Sequence, residues 1–120
     1  MEFAVHDLQG YRFVEGTPGQ PLMGRVEDVS TVLEACFDNA AKGLLLYSEN
    51  LTERFFDLSS GEAGEILQKL RNYHIRLALV RSPTLQMSSR FDELMVDESR
   101  GSYFQLFDDR VAAQEWLCFG

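Results

Sequence analysis

Apolar and polar side chains alternate from Phe3 to Asp7 and again from Tyr11 to Glu15, on either side of Gly10. That period-two pattern predicts two strands in an antiparallel hairpin closing one edge of the domain. Gly16-Thr17-Pro18-Gly19-Gln20-Pro21-Leu22-Met23-Gly24 is too rich in Gly and Pro for a regular element. It reads as a loop, either a plain connector or a flap over a site. From Arg25 to Ala41 the period lengthens: Val26, Val29, Leu33, Cys36, Phe37 and Ala40 recur at helical spacing. Glu27 and Asp28 sit in the first turn, where they complement the helix dipole. Lys42-Gly43 reads as the stop, with Gly43 in the left-handed position after the helix. Leu44–Tyr47 is a short apolar run between polar segments, the pattern of a central parallel strand covered on both faces.

The second half repeats the alternation of strand and helix. Ala63, Ile66, Leu67, Leu70 and Tyr73 form the inner stripe of a helix whose outer positions are Glu62, Glu65, Gln68, Lys69 and Arg71. Ile75–Val80 reads as the neighbouring strand, ended by Arg81-Ser82-Pro83-Thr84, because proline cannot continue a ladder. Phe91, Leu94 and Met95 predict a short helix stopped by Gly101. Tyr103–Phe107 is the last strand, and Asp108 is placed to cap a final helix carrying Val111, Ala112 and Trp116. The order β-β-α-β-α-β-α-β-α predicts one α/β domain over residues 1–120, with a mixed, mostly parallel sheet and helices packed against it.

Composition narrows the function classes. Of 120 residues, 45% are hydrophobic and 25% charged, an ordinary globular mix. The net charge of −8 repels phosphate backbones and anionic lipid, which disfavours nucleic-acid and membrane-surface binding. No apolar run is long enough to cross a bilayer, and the N-terminus lacks a secretory pattern, so the expected location is the cytoplasm. Cys36 and Cys118 are the two cysteines, with Cys36 on an apolar helical face; they make neither a disulfide scaffold nor a zinc site. His6 and His74 have no metal-like partner at i, i+4. No phosphate-binding loop, dinucleotide fingerprint or metal motif is present, so no cofactor or metal is expected.

The chemistry-bearing stretch runs from Leu44 to Lys69, a strand, a polar loop and a helix start. Ligands of α/β proteins sit beyond the carboxyl ends of parallel strands. Ser59 and Glu62 have capping-box spacing, a purely structural role. The same hydroxyls, Ser59 and Ser60, flanked by Gly61 and Gly64, also suit a phosphorylation or anion site, since the glycines let another molecule come close. The helix dipole favours a phosphate by only ~0.3–1 kcal/mol, and Asp57, Glu62 and Glu65 oppose it, so a standing phosphate pocket is disfavoured. A covalently added phosphate is different, because it brings about −1.5 to −2 charges whatever the site's affinity for the free anion.

Asn50 suits an Asx-type turn and Thr52 a single-turn cap. Of Phe55 and Phe56, one is expected to plug the core and the other to stand as a partner anchor. A ligand-binding mouth would instead draw on Glu49, Asn50, Asp57, Glu65 and Ser99. Asp57 with Glu65 would be its acid/base pair.

Two resemblances follow from these residues. Tyr47–Lys69, Y-S-E-N-L-T-E-R-F-F-D-L-S-S-G-E-A-G-E-I-L-Q-K, resembles the signature of a family of small bacterial proteins of unassigned function, as do the strand IRLALV and Glu98-Ser99-Arg100-Gly101. F-F-D-L-S-S-G-E-A-G-E-I-L is also similar to the serine-bearing segment of anti-sigma-factor antagonists, the STAS domains. In those, a serine at a helix start is phosphorylated by a kinase-like anti-sigma regulator, which breaks the complex.

That resemblance implies a STAS-like fold, a non-catalytic interaction or regulatory role, and Ser60 as phospho-acceptor, with Ser59 second. The alternatives are a small-molecule-binding protein or enzyme using the same mouth, and a structural homodimer with apolar contact from Trp116 and Phe119.

Overall fold

The structure is a computed structural model that describes residues 3–19, 26–51, 55, 61–82, 93 and 103–119. Its centre is a five-stranded mixed sheet: β1 (Phe3–Leu8), β2 (Tyr11–Gly16), β3 (Gly43–Tyr47), β4 (Arg76–Val80) and β5 (Phe104–Phe107). The strands lie side by side in chain order, β1 antiparallel to β2 and every later pair parallel. The helices whose bounds are described are α1 (Val29–Asp38), α2 (Glu62–Asn72) and α3 (Arg110–Phe119), with 3-10 turns at Val26–Asp28 and Ser48–Asn50. The helix expected around Phe91–Met95 lies outside the described residues, as does most of the loop after Gly19.

The hairpin forms because Gln9 and Gly10 both take positive φ, 53° and 87°, the sign pattern of a type I′ turn. Asp7 fixes the turn by accepting from the Gly10 N–H at 3.1 Å. The period-two alternation then sorts the strands between two cores. Val14, Leu44, Leu46, Leu77, Leu79 and Phe104 face α1 and α2, while Phe13, Leu45, Ala78 and Val80 face Ala113 and Leu117 of α3. β3 is therefore buried on both faces, as its unbroken apolar run predicts. Arg76 secures the end of α3: its guanidinium lies 4.1 Å from the centre of the Trp116 ring and donates to the Leu117 carbonyl.

Several local expectations are corrected. Gly43 does not terminate α1. The left-handed residue there is Ala40, with φ 52°, after the C-cap Asn39. Gly43 opens β3, where an added Cβ would stand 2.7 Å from the Tyr11 hydroxyl, so the strand needs a residue without one. Asp108 does not cap α3 either. Asp109 does, accepting from Val111 N–H at 3.0 Å and Ala112 N–H at 3.3 Å, while Asp108 pairs with Arg81 at 2.8 Å. On that helix Val111 faces solvent, and Ala113 and Leu117 face the sheet.

α2 begins at Glu62 behind Gly61 as N-cap, and Ser59, the other half of the expected capping box, lies outside the described residues. Glu62 is buried although its phase is the outer one. Tyr73 keeps the inner phase but falls beyond the last helical turn, where it is exposed.

Candidate functional site

The carboxyl ends of β2, β3, β4 and β5 all point to one edge, and the loops there are stitched together by buried polar side chains. Asn50 is fully buried. Its Oδ1 accepts from the Tyr47 N–H at 2.8 Å and its Nδ2 donates to the Thr17 carbonyl at 2.6 Å, tying the turn after β3 to the end of β2. Gly16 leaves the room this requires, since a Cβ there would come within 2.5 Å of Asn50 Oδ1. Ser48, also buried, accepts from the Ser82 N–H at 2.9 Å and so ties the same turn to the end of β4. Each bond satisfies backbone groups that the strands leave behind at their ends, where an unpaired group would be costly.

The opposite side of this edge, beneath the first turn of α3, holds the strongest electrostatic cluster among the described residues. Glu15 follows Phe13 in the strand alternation and so points toward α3 with 9% exposure. Arg110, the first residue of α3, forks onto it, with Nε 3.0 Å from Oε2 and Nη2 2.9 Å from Oε1. The Tyr47 hydroxyl donates to Oε2, and His6 Nε2 lies 2.7 Å from Oε1 while its ring stacks on Phe13. Gln114 accepts from Arg110 Nη1 at 2.8 Å, which holds the guanidinium plane.

The electrostatics follow from this geometry. Burial alone would raise the Glu15 carboxyl, but the Arg110 fork, the Tyr47 hydroxyl and His6 hold it down at about 2. Burial, and donation to that carboxylate, push Tyr47 up to about 12. Such a carboxylate stays ionised at neutral pH and such a phenol stays protonated. Neither is poised to exchange a proton in turnover, which asks for groups titrating near the working pH. The cluster is a clasp between sheet and helix.

The expected site residues divide accordingly. Asn50 is a buried strut and Phe55 is the aromatic that fills the core, fully enclosed. Glu49, Gly61, Gly64 and Glu65 are exposed. Gly61 takes φ 72°, and no other described residue beyond its chain neighbours lies within 4 Å of where its Cβ would be. Ser59, Ser60, Asp57 and Ser99 lie outside the described residues, as does Phe56. Among the described residues no group of three or more His, Cys, Asp or Glu could hold a metal ion. No helix among them is long and apolar enough to cross a membrane.

Sequence reasoning singled out neither Glu15 nor Arg110. The available signal was a charged residue on the apolar phase of a strand, since such a position requires a buried partner.

Residues 8–117 match a protein family described as a domain of unknown function (DUF4180). No curated protein and no solved structure matches the chain.

Proposed function

The chain belongs to the DUF4180 family, and we propose that it is a cytoplasmic, STAS-like interaction module that binds a protein partner and catalyses no reaction. Its working surface is the carboxyl edge around Glu49, Gly61 and Glu65, switched by phosphorylation of Ser60, with Ser59 as the second acceptor. The observation that carries this reading is the approach to α2. Gly61 is exposed, holds a left-handed conformation and has no described residue beyond its chain neighbours within 4 Å of an added Cβ, directly after Ser60 in the chain. A kinase or partner surface can reach such a helix start closely.

Three further features support the reading. The hairpin, the βα alternation and the C-terminal helix suit the element order expected of a STAS-like domain. Asn50 and Ser48 brace the edge from within, so the surface is preorganised, which lowers the cost of binding. The strongly shifted carboxylate and phenol among the described residues are spent on the Glu15 clasp.

A phosphate on Ser60 would add negative charge beside Glu62 and Glu65 and act by repulsion. Against one partner carboxylate at ~4 Å and an effective dielectric near 20, each unit charge costs roughly 4 kcal/mol before screening. That is enough to release a partner bound at micromolar affinity.

The test is phosphorylation and partner binding in the wild-type chain, Ser60→Ala and Ser60→Asp. Treatment with ATP and an extract of the source cells should add one phosphoryl group to the wild type and none to Ser60→Ala. Ser60→Asp should weaken the co-purifying partner at least about tenfold. Equal partner affinity in all three chains removes the switch. A wild-type chain that retains no partner removes the module.

A further inference from the structure

A concavity lies at the opposite, amino edge of the sheet, between the C-terminal ends of α1 and α2. It encloses about 240 Å³. Its floor is buried and apolar, formed by Cys36, Ala41 and Ile75. Phe37 and Tyr73 line its rim, 53% and 55% exposed, and meet edge to face with ring centres 5.6 Å apart. Two large aromatics left this open beside an apolar hollow are the anchors of a binding site more often than of a core.

Two independent features point the same way. Three non-glycine residues among those described have positive φ, and two of them, Ala40 at 52° and His74 at 60°, line this cavity. Each occupies the position after a helix end that glycine fills most easily, so the chain keeps unfavourable backbone on both walls of one hollow. The polar lining is also distinctive. Lys42 is exposed at the cavity, and among the described residues it has no carboxylate within ion-pair distance, although the protein carries net charge −8. His74 Nδ1 meets the Tyr103 hydroxyl at 3.1 Å, which leaves Nε2 as the ring's other hydrogen-bonding atom.

We propose that this cavity binds a small aromatic monocarboxylate. The ring rests on the Cys36–Ile75 floor against the edge-to-face Phe37–Tyr73 pair, and the carboxylate meets the Lys42 ammonium. The volume lies below the 300–1,000 Å³ of drug-sized sites and suits about ten non-hydrogen atoms at interior packing density.

The two helix ends favour a cation there, but several of their last carbonyls are already met. Ala41 N–H bonds Cys36 O, Ala40 N–H bonds Phe37 O, and Ile75 N–H bonds Leu70 O. A helix end contributes roughly a quarter or less of what a unit charge supplies at contact distance, so the lysine decides the sign. The remaining acidic charge is damped beyond a Debye length of about 8 Å.

The experiment is titration of the full-length, isotope-labelled protein with phenylacetate, followed by amide chemical shifts. Saturable shifts are expected at residues 36–42 and 73–75. Benzylamine, the same ring with opposite charge, should bind at least tenfold more weakly to the wild type. Lys42→Met should weaken phenylacetate at least tenfold, and Phe37→Ala at least threefold. Absence of saturable shifts, equal affinity for the amine, or an unaffected Lys42→Met would each overturn the assignment. The two probes on the unaltered chain decide it even if a variant folds poorly.

Discussion

Arg110 and Glu15 stand 95 residues apart in the chain and form a two-pronged ion pair at 2.9 and 3.0 Å. The pair fixes the start of the last helix to the second strand, at a site where Glu15 is nearly dry. Removing one partner of such a pair leaves the other charge uncompensated. Arg110→Met is expected to destabilise the fold by about 2–4 kcal/mol, which lowers the melting temperature by roughly 3–5 °C per kcal/mol. Glu15→Gln is expected to fall in the same range. Denaturant unfolding of both variants checks this, and a loss near zero would mean the clasp is idle.

The same clasp sets an acid limit. Glu15 is held at about 2 in the folded chain, against 4.5 when free. Its contribution is therefore complete above pH 4.5 and is lost as the pH falls from there toward 2. Allowing for solvent screening, that contribution is about 2–3 kcal/mol. Unfolding free energies measured from pH 7 to pH 3 should fall more steeply for the wild type than for Glu15→Gln. Parallel curves would contradict the assignment.

Asn50 replaces a backbone partner at two strand ends, and only glutamine, one methylene longer, carries the same amide. Asn50→Ala is expected to cost about 2–3 kcal/mol by removing the bonds to the Tyr47 N–H and the Thr17 carbonyl. Asn50→Asp should cost more, because it loses the donor to Thr17 and places a charge at a position with no exposure. An Asn50→Asp variant as stable as the wild type would show that the donor is dispensable.

Glycines give an internal contrast. Gly16→Ala drives a Cβ to within 2.5 Å of Asn50 Oδ1 and should destabilise by about 1–3 kcal/mol. Gly64 sits inside α2 with nothing within 4 Å of an added Cβ, so Gly64→Ala should stabilise by about 0.5–1 kcal/mol. The opposite signs are the point, and thermal melts of the two variants read them directly.

The cysteines should differ in reactivity. Cys36 is buried in the core and its thiol is pushed up to about 12 by that burial. Cys118 is half-buried, and burial raises it too. Iodoacetamide at pH 8 should add one group to the native chain, at Cys118, and two after denaturation. Native modification of Cys36 at a similar rate would show that α1 opens.

Much of this architecture was legible in the sequence because burial repeats. Leu44–Leu46 marks the strand buried on both faces, and Ile66, Leu67 and Leu70 mark the inner side of α2. What repeats cannot carry is the identity of single partners. Nothing local distinguishes Asp108 from Asp109 as a cap, since both are acidic and adjacent. Gly43 reads as a helix stop because glycine is common there, whereas the Tyr11 hydroxyl that excludes a Cβ comes from a strand far earlier in the chain. Glu62 and Tyr73 show the limit from the other side: periodicity gives the face turned to the sheet and says nothing of what covers or leaves bare a helix end. The Glu15–Arg110 contact is the extreme case, visible in sequence only as a charge on an apolar phase.

The chain-order sheet has a consequence for synthesis on the ribosome. Each strand docks beside the one made just before it, so pairing can advance as the polypeptide emerges, without waiting for a distant segment. The exception is the first turn of α3. Glu15 leaves the exit tunnel 95 residues before its guanidinium partner, so the nascent domain holds that carboxylate without its ion-pair partner until α3 emerges.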